Sequence, residues 1–155
     1  MNYSPDSMLA QVQVIADYQF GRGAGRALFP EGCEFVLSRT GRIRQVTFGG
    51  KRLVTVRAMD GKLTLGIDGA LRLLAVLPPP AYRVVVIDEV AEFIRTGKNT
   101  FAKHVVAADP GIRSGDEVMV VTTGDELLAT GSAVLSGREM LIFNYGVAVK
   151  VRQGR

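Results

Sequence analysis

Apolar residues Met8, Val12, Ile15, Ala16 and Phe20 recur at three- and four-residue spacing, the pattern that lines one face of a helix. Ser4 is a suitable cap, Pro5 fits the first helical position, Asp6 complements the positive helix end and Gly21 suits the stop. The pattern therefore predicts a helix over residues 5–20. The period then changes from helical to alternating. Residues 33–38 and 43–48 flank Thr40-Gly41, and residues 52–57 and 62–67 flank Asp60-Gly61, so each pair predicts a hairpin. Gly49-Gly50 joins the two hairpins into a four-stranded meander. Asp68 then opens a second helical run, residues 69–76, which brings Leu71, Leu73, Leu74 and Leu77 to the core.

Pro78-Pro79-Pro80 interrupts this pattern, because successive prolines cannot continue a helix or enter a central strand and tend to run extended. They predict a boundary between one domain over residues 1–78 and another over residues 79–155. In the second part, residues 83–87 predict a continuous apolar strand. Asp88 is placed to cap a helix over residues 89–96 with Val90, Phe93 and Ile94 inward. Strands are expected at 104–107, 117–122 and 127–134. Ser136 and Glu139 have capping-box spacing for a short helix over 138–143, and Asn144-Tyr145-Gly146 turns the chain into a last strand, 147–152. Many short strands with two small helices predict a small barrel. The fold class expected is α+β: an N-terminal four-stranded antiparallel sheet with two helices, followed by a pseudo-β-barrel.

Composition is consistent with this reading. The 155 residues are 47% hydrophobic and 22% charged, enough to bury a core and unlike a disordered chain. The single cysteine, Cys33, excludes an internal disulfide and a cysteine zinc knuckle; on a predicted strand it is expected to be a small core residue. No apolar run approaches the ~20 residues of a membrane span, and the N-terminus lacks an export pattern. A cytoplasmic protein without membrane association is expected. The net charge is +4 and all of the excess lies in the first part: residues 1–80 carry ten Lys and Arg against six Asp and Glu, and residues 81–155 carry nine against nine. Electrostatic attraction of an anionic partner should therefore begin in the first domain.

Candidate chemistry is sparse. Gly21, Gly23 and Gly25 suggest a dinucleotide loop, but Arg26 stands where the last glycine should be and the cluster follows a helix, so a helix stop and loop with Arg22 and Arg26 exposed is expected. Gly50-Lys51 and Gly61-Lys62 lack the rest of a phosphate-binding loop. One His, one Cys and no GxSxG leave few nucleophile–base pairs, and Asp88, Glu89 and Glu92 are accounted for by a helix start. No catalytic residue, metal ligand set or cofactor is expected. What remains is GKNTFAKH at residues 97–104. It offers cations and free backbone amides at a chain reversal, followed by the turn clusters Asp109-Pro110-Gly111 and Ser114-Gly115-Asp116. Lys98, Lys103, Lys150 and Arg152 are candidates to bind phosphate, Asn99, Thr100 and His104 to reach sugar or base edges, and Phe101 to stack on a base.

The stretches GKNTFAKHVVAADPGIRSGDEVMVV, ELLATGSAVLSGREM and GVAVKV resemble a PUA domain, a small RNA-binding pseudo-barrel, over residues 82–153. IADYQFGRGAGRALFP and SRTGRIRQVTFGGKRLVTVRAMDGKLTLGIDGALRL resemble the patch-forming domain that precedes it in archaeal tRNA-guanine transglycosylase and archaeosine synthase. The resemblance implies a non-catalytic archaeal protein that holds RNA, tRNA foremost, by its acceptor region in connection with tRNA modification. In the large transglycosylase these domains follow a catalytic barrel with an aspartate nucleophile and a cysteine-rich zinc site, and this sequence carries neither. In PUA domains RNA lies against the first helix, the loop after it and the final strand. That role carries onto Gly97, Lys98, Asn99, Phe101, Ala102, Lys103, His104, Lys150 and Arg152. The alternative reading is a partner subunit that docks onto a separate tRNA-modifying enzyme.

Overall fold

The computed structural model describes residues 4–155; Met1, Asn2 and Tyr3, at the start of the first expected domain, lie outside the described residues. The chain divides into two compact units, Met1–Leu77 and Pro78–Arg155.

In the first unit, helix α1 (Pro5–Phe20) starts at Ser4, whose hydroxyl accepts from the Ser7 N–H at 3.1 Å. Met8, Val12, Ala16 and Phe20 are buried, and Ile15 lies at the margin of that face. The loop expected after Gly21 instead contains a second helix, α2 (Ala24–Leu28), although Arg22 and Arg26 are exposed as expected. The reason is packing: any Cβ on Gly25 would collide with the Gln13 carbonyl, so glycine lets α2 lie directly against α1. The Gly25 N–H donates to Asp17 Oδ1 at 2.7 Å, and Gln13 Nε2 donates to the Phe29 carbonyl at 2.9 Å.

Four strands follow: β1 (Glu34–Leu37), β2 (Ile43–Phe48), β3 (Lys51–Val56) and β4 (Leu63–Leu65), an antiparallel meander in the order β1-β2-β3-β4. Strand β4 is shorter than expected because Ile67 and Asp68 already belong to helix α3 (Ile67–Leu74), whose cap position is Gly66 and whose first turn holds Asp68. The free edge of β4 is closed by one side chain. Gln19 accepts from the Leu63 N–H at 2.8 Å and donates to the Leu63 carbonyl at 2.9 Å, supplying the pairing a further strand would give. Arg72 ties α3 down, donating to the Ala27 carbonyl at 3.0 Å with its guanidinium 5.3 Å from the centroid of the Phe48 ring. Cys33 departs from expectation. It precedes β1 and is only half-buried beside Pro5, Leu9 and Phe35, because β1 is the outer strand and its end faces solvent.

The second unit begins at the prolines, which do not run extended. The Pro79–Pro80 bond is cis and the chain turns, with Ala81 N–H donating to the Pro78 carbonyl and Arg83 N–H to the Pro80 carbonyl. Strand β5 (Arg83–Val86) leads into a 3-10 turn (Asp88–Val90) and a short helix α4 (Ala91–Arg95). Here the expected helix is corrected. Asp88 does not cap it but accepts from Thr123 Oγ1 at 3.3 Å. With only five α-helical residues, α4 buries Ile94 while Phe93 points outward, 65% exposed.

Strand β6 (Thr100–Phe101), absent from the expected pattern, is followed by a 3-10 turn (Ala102–His104) and by β7 (Val105–Ala108). His104 therefore closes a turn and does not open a strand. Then come β8 (Glu117–Val121), β9 (Leu127–Ala133), helix α5 (Gly137–Ile142) and β10 (Val147–Gly154). The capping box forms as predicted: Glu139 Oε1 accepts from the Ser136 N–H at 2.9 Å, and Ser136 Oγ accepts from the Glu139 N–H at 3.2 Å. The sheet order is β6-β10-β9-β8-β5-β7, with β5 and β8 parallel and the other pairs antiparallel, a nearly closed pseudo-barrel of the expected kind. Its core gathers Val84, Val86, Ile94, Val118, Val120, Leu128, Met140 and Val149. Arg83 is 2% exposed at the start of β5 and is answered by Asp125 through hydrogen bonds of 2.7 and 3.1 Å.

Candidate nucleic-acid interface

The candidate residues meet along one end of the second sheet. Gly97, at φ +100°, stops α4 in a conformation that costs glycine little, and Lys98 N–H donates back to the Phe93 carbonyl at 3.1 Å. From there the chain is zipped to β10. Asn99 Oδ1 accepts from the Val151 N–H at 3.0 Å, Thr100 pairs with Val149, Phe101 pairs with Val147, and Ala102 N–H donates to the Gly146 carbonyl at 2.9 Å. Two segments far apart in sequence thus form one braced edge. A close approach at the other end of β10 braces it further, since a Cβ on Gly154 would strike the Arg95 carbonyl and lie 2.9 Å from Gly97 N.

On this edge Lys98, Lys103 and Lys150 are exposed and join no ion pair among the described residues. Phe101 is 43% exposed and meets the half-buried His104 edge-to-face, ring centroids 6.3 Å apart. The remaining candidates stand differently. Ala102 is buried, with its N–H already committed to Gly146. Arg152 donates to both oxygens of the buried Glu117 at 2.6 Å. Thr100 does not reach outward as expected: it is 1% exposed, and its hydroxyl has no hydrogen-bond partner among the described residues. The edge therefore presents three ammonium groups without ion pairs among the described residues, and two rings, on a hydrogen-bonded backbone, an arrangement suited to phosphates and flat bases.

Two further aromatics adjoin this edge. Phe143 and Tyr145 stack at 6.1 Å with 23° between their planes, and Tyr145 is 72% exposed. By sequence Phe143 ends the expected helix and Tyr145 lies in the turn after it, and neither is singled out as a candidate.

Elsewhere the titrating groups have structural causes. Burial pushes the Cys33 thiol up, partly opposed by the Arg72 charge, and burial pushes the Tyr82 hydroxyl up with the carboxylates of Asp116 and Asp109 adding to it. Among the described residues no three His, Cys, Asp or Glu side chains are grouped so as to hold a metal ion, and no helix is long and apolar enough to cross a membrane.

Comparison with known proteins follows the same division. Residues 10–80 match the family model of the patch-forming domain C2 of tRNA-guanine transglycosylase, and residues 82–155 match that of the PUA domain. The tRNA-guanine(15) transglycosylase of Pyrococcus abyssi is 58% identical over 149 residues, which cover 96% of this chain and 25% of that relative. The chain thus spans about a quarter of the length of the curated relatives it matches. Two solved structures share the fold over nearly the whole chain. A hypothetical protein of Pyrococcus horikoshii has a TM-score of 0.75 at 24% identity, covering 98% of this chain and 92% of that one. A conserved PUA domain protein of Thermoplasma acidophilum has a TM-score of 0.68 at 22% identity, covering 98% and 91%. The chain carries a patch-forming domain C2 of the tRNA-guanine transglycosylase family followed by a PUA domain.

Proposed function

We propose that this chain is a non-catalytic RNA-binding unit that holds tRNA, by its acceptor region, in connection with tRNA modification. The observation that carries the reading is the zipped edge: Lys98, Lys103 and Lys150, exposed and without ion pairs among the described residues, share with the exposed Phe101 a backbone fixed by Asn99 and Gly146. Lysines placed this way contact phosphates, and Phe101 and His104 offer ring surface to a base. Gly97, Asn99, Ala102 and Arg152 shape the edge more than they extend from it. The first unit, which holds the whole positive excess, adds attraction at longer range. The PUA match and the tRNA-guanine(15) transglycosylase relatives support RNA, and tRNA in particular, as the partner.

A catalytic role finds little support in the side chains. His104 contacts Phe101, and Cys33, its thiol pushed up by burial, is a poor nucleophile. The cytoplasm, where tRNA is modified, is the proposed setting. Titration of unmodified tRNA into the full chain at low and moderate salt tests the reading. Saturable binding that weakens steeply with salt is expected, since phosphate contacts release counterions; no saturable binding at either salt overturns it.

A further inference from the structure

The two edges of the first unit's sheet are treated differently. Gln19 occupies the outer edge of β4, whereas β1, at the opposite end of the order, pairs with β2 and with no other strand among the described residues. Strand β1 reads Glu34-Phe35-Val36-Leu37, with Val36 47% and Leu37 42% exposed. It carries none of the lysines or prolines that usually blunt an edge, and the irregularity in its pairing falls on β2, where Arg44 is the extra residue. Such an edge is a template for another strand. Charge along it is polarised. Of the six carboxylates in residues 1–80, Asp17 takes the Gly25 N–H, Asp60 pairs with Arg57 and Asp68 with Lys51. The other three, Asp6, Glu31 and Glu34, are exposed and join no ion pair among the described residues. Glu34 opens β1, and Asp6 and Glu31 line, with Pro5, Leu9 and Phe35, a cavity of about 340 Å³ beside it. Arg72, whose charge is felt at Cys33 in the same cavity, is engaged by the Ala27 carbonyl and the Phe48 ring. Beyond the other end of β1, Arg39 and Arg42 lie in the turn to β2, exposed and without ion pairs among the described residues, and Arg44 is exposed after them. The Ser38 hydroxyl, accepting from the Arg42 N–H at 3.1 Å, holds that turn.

We propose that the outer edge of β1 is a pairing surface for a second copy of this chain, the two β1 strands running antiparallel so that the two sheets become one. With residues 34–37 of one copy set against 37–34 of the other, the turn bearing Arg39 and Arg42 in each copy reaches the Glu31 and Glu34 end of the other. A two-fold interface makes both contacts at once. Charge selects this direction, because parallel pairing sets Glu34 beside Glu34 and arginine beside arginine. Three carboxylates at one end also disfavour a nucleic acid there, and phosphate offers no strand to pair. A four-residue strand and exposed ion pairs make the association reversible. The inference is independent of the RNA-binding reading, since β1 belongs to the other unit.

Sedimentation velocity of the nuclease-treated full chain, from micromolar to millimolar concentration, tests this. A reversible monomer–dimer equilibrium that weakens as salt rises is expected. Glu34→Arg and Arg39→Glu should each weaken it about tenfold or more, because in a two-fold dimer each exchange acts twice. Both residues are exposed, so neither exchange threatens the fold. An equimolar mixture of the two variants should associate again as a heterodimer, since every charge at the interface then faces its opposite. That recovery also shows that both variants are folded. A chain that stays monomeric at every concentration overturns the inference. So does a dimer that neither exchange weakens, or a mixture that fails to recover. None of these outcomes bears on the RNA-binding reading, which the tRNA titration tests separately.

Discussion

Arg152 donates hydrogen bonds of 2.6 Å to both carboxylate oxygens of Glu117, a residue 7% exposed in β8, and so fixes its own side chain against the sheet. The candidate cation nearest the chain's end is therefore a structural partner first. Arg152→Ala leaves a buried carboxylate without its guanidinium. It should lower unfolding free energy by about 1–3 kcal/mol in urea titrations. Adding Glu117→Gln to that variant should recover part of the loss, because the buried charge that lost its guanidinium goes with the carboxylate.

Lys98 and Lys103 have no such obligation. Replacing both by Ala should weaken tRNA binding and reduce the slope of log affinity against log salt by about 2, one for each phosphate left without its ammonium group. The urea midpoint should not move, since both side chains are solvated. An unchanged slope would make residues 97–104 a structural loop.

The Thr100 hydroxyl is buried without a partner among the described residues, opposite Val149 of β10. Thr100→Val substitutes a methyl group for an unsatisfied polar one at the same branched shape. Stability should stay level or rise by up to about 2 kcal/mol, with tRNA affinity unchanged. A loss of stability would mean that the hydroxyl is hydrogen-bonded after all.

Gly154 touches no candidate residue by side chain, yet it holds β10 against the backbone of Arg95 and Gly97. Gly154→Ala has to push these segments apart, at about 1–3 kcal/mol or more. Because Gly97 starts the candidate edge, tRNA affinity measured under conditions where the variant is fully folded should fall as well.

The regular parts of this fold were legible in the sequence because their signals are local. The face of α1, the hairpins and the Ser136–Glu139 capping box each lie within a few residues of their cause. What escaped depends on distant partners. Helix α2 exists because Gly25 admits the Gln13 carbonyl, and β6 is two residues long and is defined only by β10 across from it. The prolines turn where an extended run was expected, and Phe93 faces solvent because α4 is one turn shorter than its pattern. At the candidate site, Lys98, Lys103 and Lys150 were readable as charge. That Thr100 faces inward and that Arg152 is held by Glu117 are tertiary facts with no periodic signature.

The central claim is that the β6–β10 edge faces RNA, and mapping contacts on the intact complex tests it most directly. Photocrosslinking of the full chain to tRNA containing 4-thiouridine, with adducts located by mass spectrometry, should place nucleotides on residues 98–104 and 143–152. Adducts confined to residues 4–77, with none on those two segments, would contradict it.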